Sequence, residues 1–210
     1  MPRLESGERI SKLTPLKPNP QFHFVDTWTV NSTVEEATDI FLNYADAQTW
    51  WPSCFLRTEL LDSGGEDGIG RTVRAMTKGK FPYCLHVMIR VIEANPPDRY
   101  RLEFRGDLIG FTEVSILEDG DALQLVFDSL LEADKPIIKI SPGLFHPVFA
   151  WNHYWVMKRG ERSLQIEINR QKGSLSDRDP PSPPRPEFPH NIPAVVRSIR
   201  WKKSVESWES

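Results

Sequence analysis

The stretch that most limits what this chain can become is Ser141–Lys172, SPGLFHPVFAWNHYWVMKRGERSLQIEINRQK. It predicts one long helix, ~45 Å for ~30 residues at the usual rise. Ser141 and Pro142 supply an N-cap and a first-turn proline. Pro147 is expected to delay the regular part, because an interior proline removes a hydrogen bond. Arg170, Lys172 and then Gly173 suit a last turn and its stop. At ~100° per residue, Phe145, Phe149, His153, Val156, Gly160 and Leu164 share one side. A second apolar strip runs through Leu144, Val148, Trp151, Trp155 and Ile166. A helix lying on a sheet needs one apolar face, so the second strip calls for another cover. A helical glycine costs roughly 1 kcal/mol against alanine. Gly160 is therefore expected to make room for another backbone or for a ligand.

Ahead of this helix the pattern is mostly strand. Phe22–Val30 alternates, with Phe22, Phe24, Asp26, Trp28 and Val30 on one face. Thr33–Tyr44 reads as a capped amphipathic helix and Asp46–Trp51 as a short second one, stopped by Pro52. Strand signals then follow at Phe55–Leu61, Ile69–Thr77, Pro82–Ala94, Arg99–Arg105, Ile109–Leu117 and Leu123–Glu132. Gly106-Asp107 and Asp119-Gly120 are hairpin signals. Asp134-Lys135-Pro136 breaks the last strand before the helix. Strands joined by hairpins imply an antiparallel sheet, and about seven twisted strands curl into a concave face that a helix can fill.

The 210 residues suffice for one core with extensions, and the net charge of −3 implies no general attraction to nucleic acid. Two cysteines, Cys54 and Cys84, suggest neither a disulfide scaffold nor a zinc site, so a reduced, cytoplasmic setting is expected. The opening MPRLESGERISKL has no apolar core of the signal-peptide kind, and no apolar run approaches the ~18 residues of a membrane span. Residues 1–21 read as a polar extension, 22–172 as one ligand-binding domain, and 173–210 as a proline-rich extension ending in a short helix.

The element order and the run PGLFHPVFAWNHYWVMKRGERSL resemble the START/polyketide-cyclase-like (SRPBCC) superfamily. So do DAQTWWP, GIGRTVRAMTKGKFPY and RGDLIGFTEVSI. The resemblance covers about Phe22–Lys172. It implies an α+β helix-grip fold: a curved antiparallel sheet around the long C-terminal helix, with two short helices after the first strand. It also implies an internal cavity between helix and sheet that suits a small hydrophobic or aromatic molecule, lipid- or polyketide-like.

In such a cavity Phe145, Phe149, His153, Val156 and Leu164 are expected at the roof, with Gly160 making room for the ligand; Tyr83 or Cys84, depending on strand parity, with Phe104, Phe111 and Phe127, are expected on the walls, and Trp28, Trp50 and Trp51 near one end. His153 has the right chemistry for a general acid or base, although a helix histidine often only bonds a neighbouring carbonyl or water. Asp26 and Glu113 alternate with apolar residues, so both are expected to point inward and to complete an acid–base set with His153. A buried carboxylate needs a partner, and Arg105 or Arg74 is available as a structural pair or a ligand clamp. Asn152 is a donor for a ligand carbonyl or for backbone. His146 and His153 stand two turns apart, ~10.5 Å, too far to share a metal. No metal site and no cofactor are expected, and no nucleophile, phosphate-loop or dinucleotide motif occurs.

The segment SLSDRDPPSPPRPEFPHNIP reads as an extended linker, and Ala194–Trp208 as a short helix with Ala194, Ser198, Trp201, Val205 and Trp208 on one face. Packing on the chain's own body, over the Trp151/Trp155 strip, is the favoured reading. A second copy of the chain, or an anionic membrane surface, are the other partners such a basic helix fits. The leading functional reading is a carrier of a hydrophobic ligand. The alternatives are a cyclase/dehydratase-like enzyme and an assembly or regulatory module without turnover.

Overall fold

The computed structural model describes residues 21–120, 122–133, 142–173 and 181–208, without the side chains of residues 21 and 142–146. The expectations for the N-terminal extension, the Ser141 cap and the Asp134-Lys135-Pro136 break lie outside the described residues.

The strands are β1 (Gln21–Val30), β2 (Phe55–Asp62), β3 (Thr72–Thr77), β4 (Leu85–Asn95), β5 (Arg99–Gly106), β6 (Leu108–Asp119) and β7 (Ala122–Ala133). They form one antiparallel sheet of 7 strands in the order β1-β7-β6-β5-β4-β3-β2. β1 and β2 are consecutive in the chain yet sit at opposite edges. The connection between them carries α1 (Val34–Leu42), a 3₁₀ turn (Tyr44–Asp46) and α2 (Ala47–Trp50). Thr33 and Glu36 form a reciprocal capping box that starts α1.

The long helix, α3, spans Pro142–Gln171 with Pro147 inside it. It packs against β1, α1 and α2. β1 is an edge strand, and α3 closes its C-terminal end: Thr29 N–H donates to Glu161 at 2.9 Å and, just past the strand, Asn31 N–H to Gln165 at 2.7 Å. An edge closed in this way cannot recruit another strand there. Just past the C-terminus of α3, Lys172 meets Glu36 at 2.8 Å. That lysine holds the Glu36 carboxyl below its usual range.

The registers define two faces. Trp28, Leu125, Ile116 and their in-register neighbours face α3, and this inner face is apolar. The opposite parity carries Arg57, Arg74, His86, Arg90 and Arg105.

Chain 181–208 covers the β2–β5 part of that outer face. α4 is short, Pro193–Ser198, and is followed by extended backbone and a 3₁₀ turn, Lys203–Val205. This corrects the expected helix over 194–208. The helix stops because its aromatic anchors go to separate places on the sheet. The Trp201 ring lies 4.9 Å from each of Arg57 and Arg74. Trp208 lies 4.2 Å from Arg105 and 5.3 Å from Arg90, and its carbonyl accepts from Arg105 at 2.7 Å. Val205 is fully buried against Gly106, where φ is +106° and a β-carbon would also strike the His86 carbonyl. The tail therefore packs on the body, but on the outside of the sheet. Trp151 stays half exposed, and Trp155 is flanked by Arg159 at 4.3 Å and Lys80 at 5.6 Å.

Candidate functional site

β1 alternation turns Phe22, Phe24 and Asp26 toward α3, whose Phe149 and His153 stand one turn apart. His153 Nε2 is 2.7 Å from Asp26 Oδ2. Both side chains are mostly shielded, at 16% and 17% exposure, so the pair is screened less than a surface one. Phe24 stacks on the imidazole, with centroids 4.0 Å apart and planes 10° apart. Phe149 packs on Phe22 at 4.3 Å and on Phe24 at 6.2 Å, and Leu108 joins the cluster. A carboxylate on Nε2 orients the ring and leaves Nδ1 as the nitrogen able to exchange a proton with a guest.

Other predicted residues fall elsewhere. Glu113 lies on the outer face, 3.9 Å from Arg99, so the sheet itself separates it from His153. Its neighbours Thr112 and Val114 take the buried positions, which corrects the expectation of an inward carboxylate. Phe111 shares the outer parity and lies 4.9 Å from Arg101. Arg105 is also outside, bonded to Glu103 at 3.0 Å and to the tail. Neither residue lines the inner face. Asn152 accepts from Lys80 N–H at 2.8 Å, and its amide so crowds Gly79 that a β-carbon there would overlap it. Asn152 thus fastens the β3–β4 loop to α3. Arg74 pairs with Glu59 at 2.7 Å.

On the inner face, Tyr83, Phe104 and Val156 are partly buried against the core. Phe127 and Trp28 are fully packed, 4.6 Å apart between centroids, with Trp51 5.1 Å from Trp28. A β-carbon at Gly160 would fall within 2.6 Å of ring carbons of Trp28 and Trp51. The glycine admits two indoles rather than a ligand or a backbone. The Phe145 side chain lies outside the described residues. The indole N–H groups of Trp28, Trp50 and Trp51 and the Tyr44 hydroxyl are buried without a hydrogen-bond partner. Burial pushes the Tyr44 hydroxyl well above its ordinary range.

A further set of polar residues escaped the sequence reading. Glu187, in the proline-rich segment, meets Lys80 at 3.0 Å and Arg159 at 3.1 Å, and its carbonyl accepts from buried Lys78 at 2.8 Å. His190 approaches Cys84, Nε2 to Sγ 3.0 Å. His190 also lines an open groove of about 400 Å³ between β2 and the tail, with Phe55, Leu56, Arg185, Pro186 and Arg197. Proline density was the only signal in this segment, and it does not reveal which distant residues a chain touches. Among the described residues no three His, Cys, Asp or Glu side chains gather as metal ligands, and no helix is long and apolar enough to cross a membrane.

No protein-family model and no curated protein matches the chain. Solved structures do. A conserved protein from Geobacillus kaustophilus superimposes with a TM-score of 0.54 at 17% identity, over 71% of this chain and 97% of its own. A START superfamily protein from Mycobacterium smegmatis gives 0.54 at 16% identity, over 71% and 98%. Ara h 8.0201 gives 0.50 at 9% identity, over 71% and 99%. At these identities the likeness concerns architecture, and it agrees with the strand order, the α1–α2 excursion and the gripped helix described above. The chain has the helix-grip fold, an architecture it shares with these structures.

Proposed function

We propose that this protein binds a small hydrophobic or aromatic molecule beside the first half of α3, with Asp26 and His153 as the polar handle. One observation carries the reading: a shielded 2.7 Å carboxylate–imidazole pair set among Phe22, Phe24 and Phe149. Aromatic walls with one oriented polar group are the usual make-up of a small-molecule site. The fold supports the same choice, since helix-grip proteins hold hydrophobic ligands between sheet and helix. In this chain the middle of that space is taken by Trp28, Trp51 and Phe127. The guest therefore sits toward the Phe24–Phe149 end, where Leu108 links that cluster to the main core.

A second reading rests on the same pair. With Asp26 orienting the ring, His153 is equipped to move a proton in a cyclase- or dehydratase-like reaction, where a positioned acid or base adds typically ~10²–10⁴-fold.

Native mass spectrometry of the protein purified from its own host, before and after denaturing extraction, tests the proposal. The expected result is an extractable apolar molecule that a correctly folded Phe149→Ala variant no longer retains. A molecule held equally by both proteins, or a wild type with no extractable mass and no uptake of an apolar fluorescent probe, contradicts it. Loss of turnover but not of binding in His153→Gln selects the enzymatic reading.

A further inference from the structure

Outside the helix–sheet interface, one cluster brings a sulfur, an imidazole and an ammonium together. Cys84 precedes β4, Lys78 follows β3, and His190 arrives from the tail more than a hundred residues later. The 3.0 Å contact between Cys84 Sγ and His190 Nε2 joins a partly exposed thiol to a buried ring. The other ring nitrogen, Nδ1, is buried without a hydrogen-bond partner, so nothing else in the described residues competes for the ring's proton exchange. The Lys78 ammonium is buried and attracts a charge on Cys84. Burial, and then the same ammonium, hold the His190 imidazole below its ordinary range, which keeps the ring neutral with Nε2 facing the sulfur. Lys80, Arg159 and the Glu187 carboxylate they share add further charges near the cluster. A thiol in cationic surroundings beside a base is the environment of a reactive cysteine. His190 also faces the groove that Arg185 and Arg197 line together with Gln48 and Asn191. Two guanidiniums and two amides suit a peptide-like molecule that carries carboxylates.

We propose that Cys84 and His190 form a thiol–imidazole pair that undergoes exchange with small carboxylate-bearing disulfides, the tail supplying the base. The Cys84 proton passes to His190 Nε2 as sulfur attacks one sulfur of the incoming disulfide. A Cys84–S–S–R bond forms and the original S–S bond breaks. The electron pair leaves with the departing thiolate, which takes the proton back from His190. The co-reactant is reduced by half to a free thiol and Cys84 is oxidised to the mixed disulfide, so no further oxidant enters. Cys54 is the internal control: it is buried, and its thiol is pushed up to about 12.

The full-length protein is treated with glutathione disulfide at a series of pH values, and adducts are located by mass spectrometry. Cys84 is expected to react at least ~10-fold faster than Cys54, with a rate midpoint below the ~8.5 of an ordinary thiol. His190→Gln should move the midpoint up toward that value. Simple unmasking of the sulfur would raise the plateau and leave the midpoint in place, so a loosened tail cannot mimic the result. The uncharged 2-hydroxyethyl disulfide should react more slowly, and Arg197→Gln should narrow the difference. An ordinary midpoint that His190→Gln does not move overturns the pair. Equal rates for the two disulfides overturn the assigned class of co-reactant.

Discussion

The two faces of the sheet are covered by segments of opposite chemistry. Against the inner face, α3 is locked by shape: Gly160 sits under two indoles, and Leu164 and Ile168 are buried beside them. Against the outer face, the tail is held by charge and ring: arginines above Trp201 and Trp208, Lys202 on Asp107 at 2.5 Å, and Glu187 between Lys80 and Arg159. Apolar interdigitation of the first kind is insensitive to salt, and a wrong volume there strains the whole core. Cation–π and ion-pair contacts of the second kind contribute about 0.5–2 kcal/mol each and weaken when screened. Salt and pH should therefore act on the tail's attachment more than on the body's, although both are parts of one chain.

The sharpest way to break the comparison is at the inner face. Gly160→Ala gains roughly 1 kcal/mol of helix propensity but overpacks Trp28 and Trp51, an effect of about 1–3 kcal/mol. A net loss of stability in urea titration is expected; a net gain would mean the indoles yield freely. At the outer face, Trp201→Ala should cost about 1 kcal/mol and make the tail an early target of limited proteolysis, while the body stays resistant. Unchanged proteolysis would put the anchor elsewhere.

The smallest effect is one of pH. Lys80, first by hydrogen bond and then by charge, holds the Glu187 carboxyl below its ordinary 4.5 in the folded protein, with Arg159 and Lys78 adding to it. A lowered folded value means the contribution is fully present above about 4.5 and is lost as pH falls through the lowered value. Tail release under limited proteolysis should rise over that acidic window and not above it. Glu187→Gln should flatten the profile.

What was legible in the sequence follows the same division. Alternation in β1, β5 and β7 marks strands wherever one face is buried and the other wet, and glycine turns mark their ends. Asp26 and His153 each stand out within their own element, but only the fold joins residues 127 apart. Glu113 and Phe111 were misjudged because their chemistry was weighed over parity: Thr112, Val114 and Ile116 are the buried set of β6. Gly160 was readable as a close approach but not as an approach by tryptophan, since the identity of a partner is a tertiary fact. The tail was least legible. Its anchors are isolated residues without period: Trp201 and Trp208 are held by arginines and Lys202 by Asp107, all far away in the chain.

The central claim is that a ligand lies at the Asp26–His153 end of the grip. Histidine-selective NMR tests it most directly, because the 5 histidines report on separate regions. Titration with the molecule extracted from the native protein should shift and broaden the His153 signals and leave His190, beside the outer groove, unchanged. Saturation that moves His190 and not His153, or neither, would contradict the account.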